Sequence, residues 1–352
     1  MLEQLSAALH LRGHQVKVAL VLTPGDEHDH PLVAALRASN VEVLSVVLGS
    51  RAYLAERAAI GRIAREFRAD VVHTHGYRSD IVHGFSARSS GMAHVLTLHG
   101  FVSGSLRDRF YERMQIGAAR RADAVVAVSG PIVDRLARYN IRERVHLVRN
   151  AIALPSNILS RDEARTLLRL PSDVPVVGWV GRLSHEKGAD QFIEALVLAP
   201  PAIHGAIIGD GPERAALEAL AKVHGAQERL HFGGSIDRAS RFLRAFDVLA
   251  LTSRTEGTPM TLLEAMAVGT PIAAFAVGGV ASMFEGGDVQ LCNAGDVRAL
   301  SAAIVRLTMH GATGMAQAEA AGATLARSYS LEAWIAKHEQ VYRSALAAKG
   351  QR

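Results

Sequence analysis

Thr252-Ser253-Arg254-Thr255-Glu256-Gly257-Thr258-Pro259-Met260-Thr261-Leu262-Leu263-Glu264-Ala265 sets two carboxylates across the junction between a loop and a helix. Val248-Leu249-Ala250-Leu251, just before it, reads as a short buried strand. Pro259 suits the first turn of a helix, where its missing N–H is no loss. Glu256 therefore falls in the loop at the carboxyl end of a strand, and Glu264 about two turns inside the helix. The free N–H groups at the start of that helix form an anion site between the two acids. A ligand with hydroxyls at both ends and a diphosphate between them fits this spacing, and a nucleotide sugar is such a ligand. A helix with two solvated glutamates is the plainer alternative.

Outward from this stretch, strand-like runs alternate with helical ones. The strands expected are Val16–Leu22, Val43–Val47, Val71–Thr74, Val95–Leu98, Ala124–Val128 and Val145–Val148, then Val176–Val180, Ala206–Ile208, Leu230–Phe232, Val248–Leu251 and Pro271–Ala274. Helical patterns such as Tyr53–Phe67 and Pro131–Tyr139 separate them. Continuous apolar strands with intervening helices indicate parallel sheets covered on both faces. The segment Ala151–Ser160, holding Pro155, Ser156 and Asn157, breaks the rhythm and reads as a linker. The fold class expected is α/β: two doubly wound, Rossmann-like domains, 1–155 and 156–328, with a cleft between their strand ends. A final helix from 329 to 352 follows and is expected to pack across the boundary. The chain opens with a helical pattern, Met1–His10, where a doubly wound domain normally opens with its central strand. The expectation is that a strand precedes Met1.

Composition narrows the function. Hydrophobic residues make up 49% and charged residues 21% of the 352, the signature of a globular chain. The mostly apolar run from Pro271 to Phe284 is too short to span a bilayer. The single cysteine, Cys292, excludes a disulfide framework and a cysteine-based zinc site and fits a reducing, cytoplasmic compartment. Residues 1–155 hold 20 Lys and Arg against 14 Asp and Glu, while the remainder holds 19 against 20. Arg107, Arg109, Arg113, Arg120 and Arg121 concentrate on one amphipathic stretch, which suits an anionic inner membrane face, a phosphate-bearing acceptor or simply solvent. With 5% aromatic residues and no basic-aromatic platform, nucleic acid is not an expected partner.

Other strand exits carry chemistry. Gly181-Arg182-Leu183-Ser184-His185-Glu186-Lys187-Gly188 places two cations at a strand–helix junction, where a departing diphosphate gathers charge. Gly209 and Gly211, in Gly209-Asp210-Gly211-Pro212, leave room for a nucleotide, with Phe232-Gly233-Gly234 near its base; simple turn chemistry is the alternative. Arg214 stands where a dinucleotide fingerprint needs its third glycine, so a nicotinamide cofactor is not expected. His99, at a strand exit before Gly100, reads as a hydrogen-bonding or acid–base group, and His73 and His75 as structural. No Asp-x-Asp pair is present to hold a metal on a diphosphate, and no Walker loop or Gly-x-Ser-x-Gly elbow occurs.

Taken in order, Gly181-Arg182, Glu186-Lys187-Gly188, Gly209-Asp210-Gly211-Pro212, Ser253-x-x-Glu256-Gly257-x-Pro259, Glu264, Gly269-Thr270-Pro271 and Gly278-Gly279 resemble the family-four retaining glycosyltransferases of the GT-B fold. Thr97-Leu98-His99-Gly100, Val128-Ser129 and Asn150 resemble that family's N-terminal landmarks, and the resemblance runs the length of the chain. It implies that Gly181, Arg182, Lys187, Gly209 and Gly211 line the donor site and that Glu264 binds the ribose hydroxyls. Glu256 would hold the transferred sugar, aided by backbone N–H groups of Gly257, Thr258, Met260, Thr261 and Leu262. His99, Glu256, Arg182 and Lys187 would form the reaction centre, with His99 near the sugar. The family transfers sugar with retention, generally without bound metal or cofactor, by a front-face route in which the leaving phosphate assists the acceptor's deprotonation.

Three departures stand out: the family's first strand and glycine-rich loop are missing before Met1, Ala151 follows Asn150 in place of glycine, and Ala281-Ser282 replace Pro-Glu. The expected activity is transfer to a glycan, polysaccharide or lipid-linked acceptor in cell-envelope biosynthesis, in the cytoplasm or peripherally on the membrane's inner face. The alternatives are a non-catalytic nucleotide-sugar-binding scaffold and a nucleotide-sugar epimerase.

Overall fold

A computed structural model of the chain describes residues 1–26, 30–49, 51–100, 106–152, 157–284 and 286–350, with the side chains at 31, 85, 86, 88, 89 and 106–109 excepted. The chain divides into two compact units, Met1–Ala151 with Leu331–Arg352, and Ile152–Ser330. Pro155 and Ser156 of the expected linker lie outside the described residues.

The first unit runs α1 (Leu2–Leu11), β1 (Lys17–Leu22), α2 (Pro31–Ala38), β2 (Glu42–Val47), α3 (Tyr53–Glu66), β3 (Val71–His75), α4 (Tyr77–Ser89), β4 (Ala93–Leu98), α5 (Leu106–Arg121), β5 (Ala124–Ala127), α6 (Gly130–Ala137) and β6 (Val145–Leu147). Its strands form two parallel sheets, a β1–β2 pair and a four-stranded sheet in the order β3-β4-β5-β6. The alternation of side chains across a strand explains how β4 and β5 are covered. Ala93, Val95, Ala124 and Val126 pack against Trp334, Ile335, Val341 and Ala345 of the C-terminal helix, Leu331–Gly350. Leu96, Leu98, Val125 and Ala127 on the opposite face pack against Ile116 and Ala119 of α5 and Ile132 and Leu136 of α6. The last helix is thus part of the first unit's core.

The second unit runs α7 (Arg161–Leu168), β7 (Val176–Val180), a 3-10 turn (His185–Lys187), α8 (Ala189–Leu198), β8 (His204–Ile208), α9 (Arg214–Val223) and β9 (Leu230–Gly234). A 3-10 segment (Ala239–Ala245), β10 (Val248–Leu251), α10 (Met260–Val268), β11 (Ile272–Ala274), α11 (Val280–Met283), α12 (Val297–Met309) and α13 (Gly311–Ser328) complete it. Ser160 begins α7 with a capping box, its side chain accepting from the Glu163 N–H while the Glu163 carboxylate accepts from the Ser160 N–H. The five strands are parallel, in the order β11-β10-β7-β8-β9. Every residue of β10 and β11 is buried, as strands covered on both faces require.

This strand order places the site. From β7 the chain winds outward through β8 and β9, then returns to the other side of β7 for β10 and β11. The order reverses between β7 and β10, so the loops leaving these two strands stand side by side at their carboxyl ends. Open α/β sheets bind ligands at such a switch point.

Candidate functional site

The β7 and β10 loops are stapled together by groups that the sequence holds far apart. The Thr252 hydroxyl donates to the Gly188 carbonyl at 2.7 Å and accepts from the Trp179 indole at 3.0 Å. Gln191 Nε2 donates to the Thr252 carbonyl at 3.0 Å. Arg254 donates its backbone N–H to the Glu186 carbonyl at 2.8 Å, and its guanidinium grips both Asp190 oxygens at 2.9 and 2.6 Å. Gly188 is left-handed, with φ +67°, and a Cβ there would lie 2.1 Å from the Thr252 carbonyl oxygen. Only glycine permits this approach.

Within this frame Glu256 is preset. Its Oε1 accepts from Lys187 Nζ at 2.8 Å and from the Ser253 hydroxyl at 2.7 Å. The Glu256 side chain is 8% accessible and that of Lys187 32%, so solvent reaches the pair mainly from the lysine side. The Glu256 carbonyl accepts from the Gly279 N–H at 3.0 Å, and a Cβ on Gly278, whose φ is +50°, would lie 2.0 Å from that same oxygen. Lys187 had been expected to face a diphosphate; the structure pairs it with Glu256. Arg182 is exposed, and its guanidinium meets no partner among the described residues.

Helix α10 begins at Met260, and Pro259 is the residue just outside it rather than part of its first turn. No side chain caps this end, so the opening N–H groups, unsatisfied in any α-helix, are free for a ligand. Leu262 is fully buried, which limits its contribution to its backbone. Glu264 is half-buried and meets no partner among the described residues. Burial pushes its pKa up from 4.5 to about 7. A half-buried acid that meets no hydrogen-bond donor among the described residues is suited to donors from elsewhere.

The glycines after β8 take a different role from the one expected. Gly209 has φ +143°, and a Cβ there would sit 1.8 Å from the Gly181 carbonyl; at Gly211 it would sit 2.4 Å from the Leu183 carbonyl. Their bare backbones face the neighbouring loop, not open space. Gly181 donates to the Ile208 carbonyl at 3.0 Å and Leu183 to the Asp210 carbonyl at 2.9 Å. These residues therefore hold the Arg182 loop in place.

In the first unit, His99 is exposed at the exit of β4, and its Nε2 lies 3.3 Å from His75 Nδ1. His73 is tied on both nitrogens, to the Tyr342 hydroxyl at 2.9 Å and the Thr97 hydroxyl at 2.7 Å, as a structural histidine is. Burial lowers the pKa of His73, His75 and His99: His73 falls well below 6.5 and His75 to about 3. Below this cluster Asp80 is fully buried, accepting from Thr74 at 2.7 Å and from Gln115 at 2.8 Å, and desolvation raises it to about 6. Sequence reasoning missed this network and the Arg254–Asp190 staple, because nothing local pairs residues so distant. Arg113, Arg120 and Arg121 are exposed on α5; the side chains of Arg107 and Arg109 lie outside the described residues. Among the described residues no helix is long and apolar enough to cross a membrane, and no group of three or more His, Cys, Asp or Glu could hold a metal ion.

Solved structures share this fold. The sucrose-phosphate synthase of Thermosynechococcus elongatus superposes with a TM-score of 0.82 at 22% identity, over 98% of this chain and 92% of its own. The Anabaena protein HepE, solved in complex with UDP, gives 0.82 at 22% identity, over 97% and 95%. These likenesses show that the fold is GT-B. Residues 1–154 match the family described as Glycosyltransferase Family 4, and residues 160–321 the one described as Glycosyl transferases group 1. A 2-deoxystreptamine N-acetyl-D-glucosaminyltransferase of Streptomyces fradiae is 33% identical over 315 residues, 79% of this chain and 74% of that protein. A D-inositol 3-phosphate glycosyltransferase of Xylanimonas cellulosilytica is 30% identical over 240 residues, 61% of this chain and 57% of that protein. The chain belongs to the family-four glycosyltransferases, retaining enzymes that transfer a sugar from a nucleotide sugar.

Proposed function

We propose that the chain transfers a hexosyl group from a uridine diphosphate sugar to a ring hydroxyl of a glycan or cyclitol, free or lipid-linked, with no metal ion on the diphosphate. The observation that carries the donor site is Glu264, a carboxylate with no hydrogen-bond partner among the described residues, about one turn inside a helix whose opening N–H groups are uncapped. Two ribose hydroxyls donating to Glu264 supply what its own surroundings lack. The diphosphate then lies against the start of α10, with the Arg182 guanidinium as its permanent cation. The names of relatives support the finer choices: an Anabaena structure holds UDP-glucose, and the relatives from Streptomyces fradiae and Xylanimonas cellulosilytica are named for cyclitol acceptors.

Glu256 Oε1 is fully taken by Lys187 and Ser253, and Oε2 meets no donor among the described residues. Oε2 is therefore the oxygen offered to a hydroxyl of the transferred sugar. As the glycosidic bond breaks, charge gathers on the diphosphate, and the fixed dipoles of α10 and Arg182 stabilise it without reorganising. A diphosphate oxygen on the same face takes the acceptor's proton, which accounts for retention without a protein nucleophile. His99 is proposed to touch the transferred sugar.

The test is incubation with UDP-, GDP-, ADP- and dTDP-glucose and a panel of cyclitol, glycan and lipid-linked acceptors. The expected result is UDP release, a new glycoside with the donor's anomeric configuration, and rates unchanged by EDTA. Tight UDP-glucose binding with no UDP release on any acceptor would favour the scaffold, and free epimerised sugar would favour the epimerase.

A further inference from the structure

His75 and His99 stand edge to edge, His75 Nδ1 and His99 Nε2 being 3.3 Å apart and the rings near parallel at 29° with centroids 5.6 Å apart. Both rings are held neutral at pH 7, so one N–H must lie between the two nitrogens, and it belongs to one ring or the other. The surroundings of His75 decide which. Its other nitrogen, Nε2, is buried and has no partner. A proton on Nε2 would be a buried donor without an acceptor, a worse arrangement than a bare lone pair. A proton on Nδ1 is satisfied by His99. Nothing nearby offers to reverse this. His73, its ring tilted 38° against that of His75 with centroids 4.3 Å apart, has both nitrogens committed to Tyr342 and Thr97. His338, which faces the cluster from the C-terminal helix, points Nδ1 at the Trp334 carbonyl at 3.0 Å and must carry its proton there.

We propose that His75 sets the tautomer and the aim of His99: His75 Nδ1–H donates to His99 Nε2, and His99 then carries its own proton on Nδ1 and presents it to the ligand. Which nitrogen of an imidazole bears the proton follows from the bond the other one makes. His99 is thereby a hydrogen-bond donor to an oxygen lone pair on the sugar, and its second nitrogen is unavailable as a base for the acceptor's hydroxyl. His75 is a positioning residue, acting through His99. The proposal rests on the reading of His99 as a ligand contact, but the tautomer itself does not.

Long-range proton–nitrogen NMR of the full chain carrying nitrogen-15 histidine, at pH 7, reads the tautomer directly, with the His99 signals assigned by their loss in His99→Gln. The wild type should show His99 as the Nδ1–H form. His75→Phe, which keeps the ring and removes the donor, should move His99 to the Nε2–H form and lower kcat about tenfold at unchanged donor KM. His75→Asn places an amide N–H where Nδ1–H was, and should restore both. His99 in the Nε2–H form in the wild type, or in one form in all three proteins, would overturn the proposal. Should His75→Phe fail to fold, the wild-type spectrum still decides. A wild type that transfers no sugar would count against the functional reading and leave the tautomer result standing.

Discussion

Lowering the pH from 8 to 6 should weaken the binding of UDP-glucose about tenfold, through Glu264 alone. Burial raises this carboxyl from 4.5 to about 7. Ribose hydroxyls donate to the ionised form and stabilise it, so a proton must leave before the ligand is held fully. With a midpoint of 7, about 91% of Glu264 is ionised at pH 8 and about 9% at pH 6, a ratio near ten, or about 1.4 kcal/mol. A nucleotide sugar is the right probe, because free UDP has a terminal phosphate that itself titrates near pH 6. Isothermal titration in the absence of acceptor reads the affinity across this range. In Glu264→Gln the pH slope should vanish, with affinity at pH 8 reduced about tenfold or more by loss of hydrogen bonds to a charged group. The same substitution should stabilise the unliganded protein, and the sign follows from the direction of the shift. A carboxyl whose folded pKa is raised contributes its stability below about 4.5 and loses it as the pH climbs through 7. Removing the charge therefore does little at pH 5 and adds about 2 kcal/mol at pH 8, roughly 5 °C in Tm. A wild-type affinity flat between pH 6 and 8, or an equal slope in Glu264→Gln, would refute the assignment.

Three further outcomes follow from the same geometry. Lys187→Met leaves the Glu256 carboxylate with Ser253 alone, and should lower kcat about a hundredfold and stability by about 1–3 kcal/mol, read by steady-state kinetics and urea unfolding. Gly278→Ala forces a Cβ to within 2.0 Å of the Glu256 carbonyl oxygen, so kcat should fall while Glu264-dependent nucleotide affinity, read by titration, changes little. On α5, Phe110 is 60% exposed and Met114 39% beside Arg113, so a Phe110→Ser, Met114→Ser variant should bind vesicles containing anionic lipid several-fold more weakly in a flotation assay if the acceptor is lipid-linked.

The strands were legible because each is a continuous apolar run, and buried parallel strands need no polar face. Val176–Val180 and Val248–Leu251 were placed to the residue, while β8 starts two residues before the expected Ala206 because His204 and Gly205 lack the apolar signal. What the sequence left hidden is what depends on long-range packing. Gly209 and Gly211 looked like room for a ligand, yet the space above them is filled by Gly181 and Leu183, residues of the preceding loop. Lys187 and Glu256 were each marked as site residues, but their 2.8 Å pairing joins positions 69 residues apart. His75 read as structural because one histidine in a strand says nothing of the His99 ring that faces it from just past the end of β4.

The most direct test of the account is a crystal structure of the chain with UDP-glucose bound. Ribose hydroxyls are expected on the Glu264 carboxylate, diphosphate oxygens on the first N–H groups of α10 and on Arg182, and a glucose hydroxyl on Glu256 Oε2. Nucleotide density away from the β7 and β10 loops, with Glu264 still unpartnered, would contradict it.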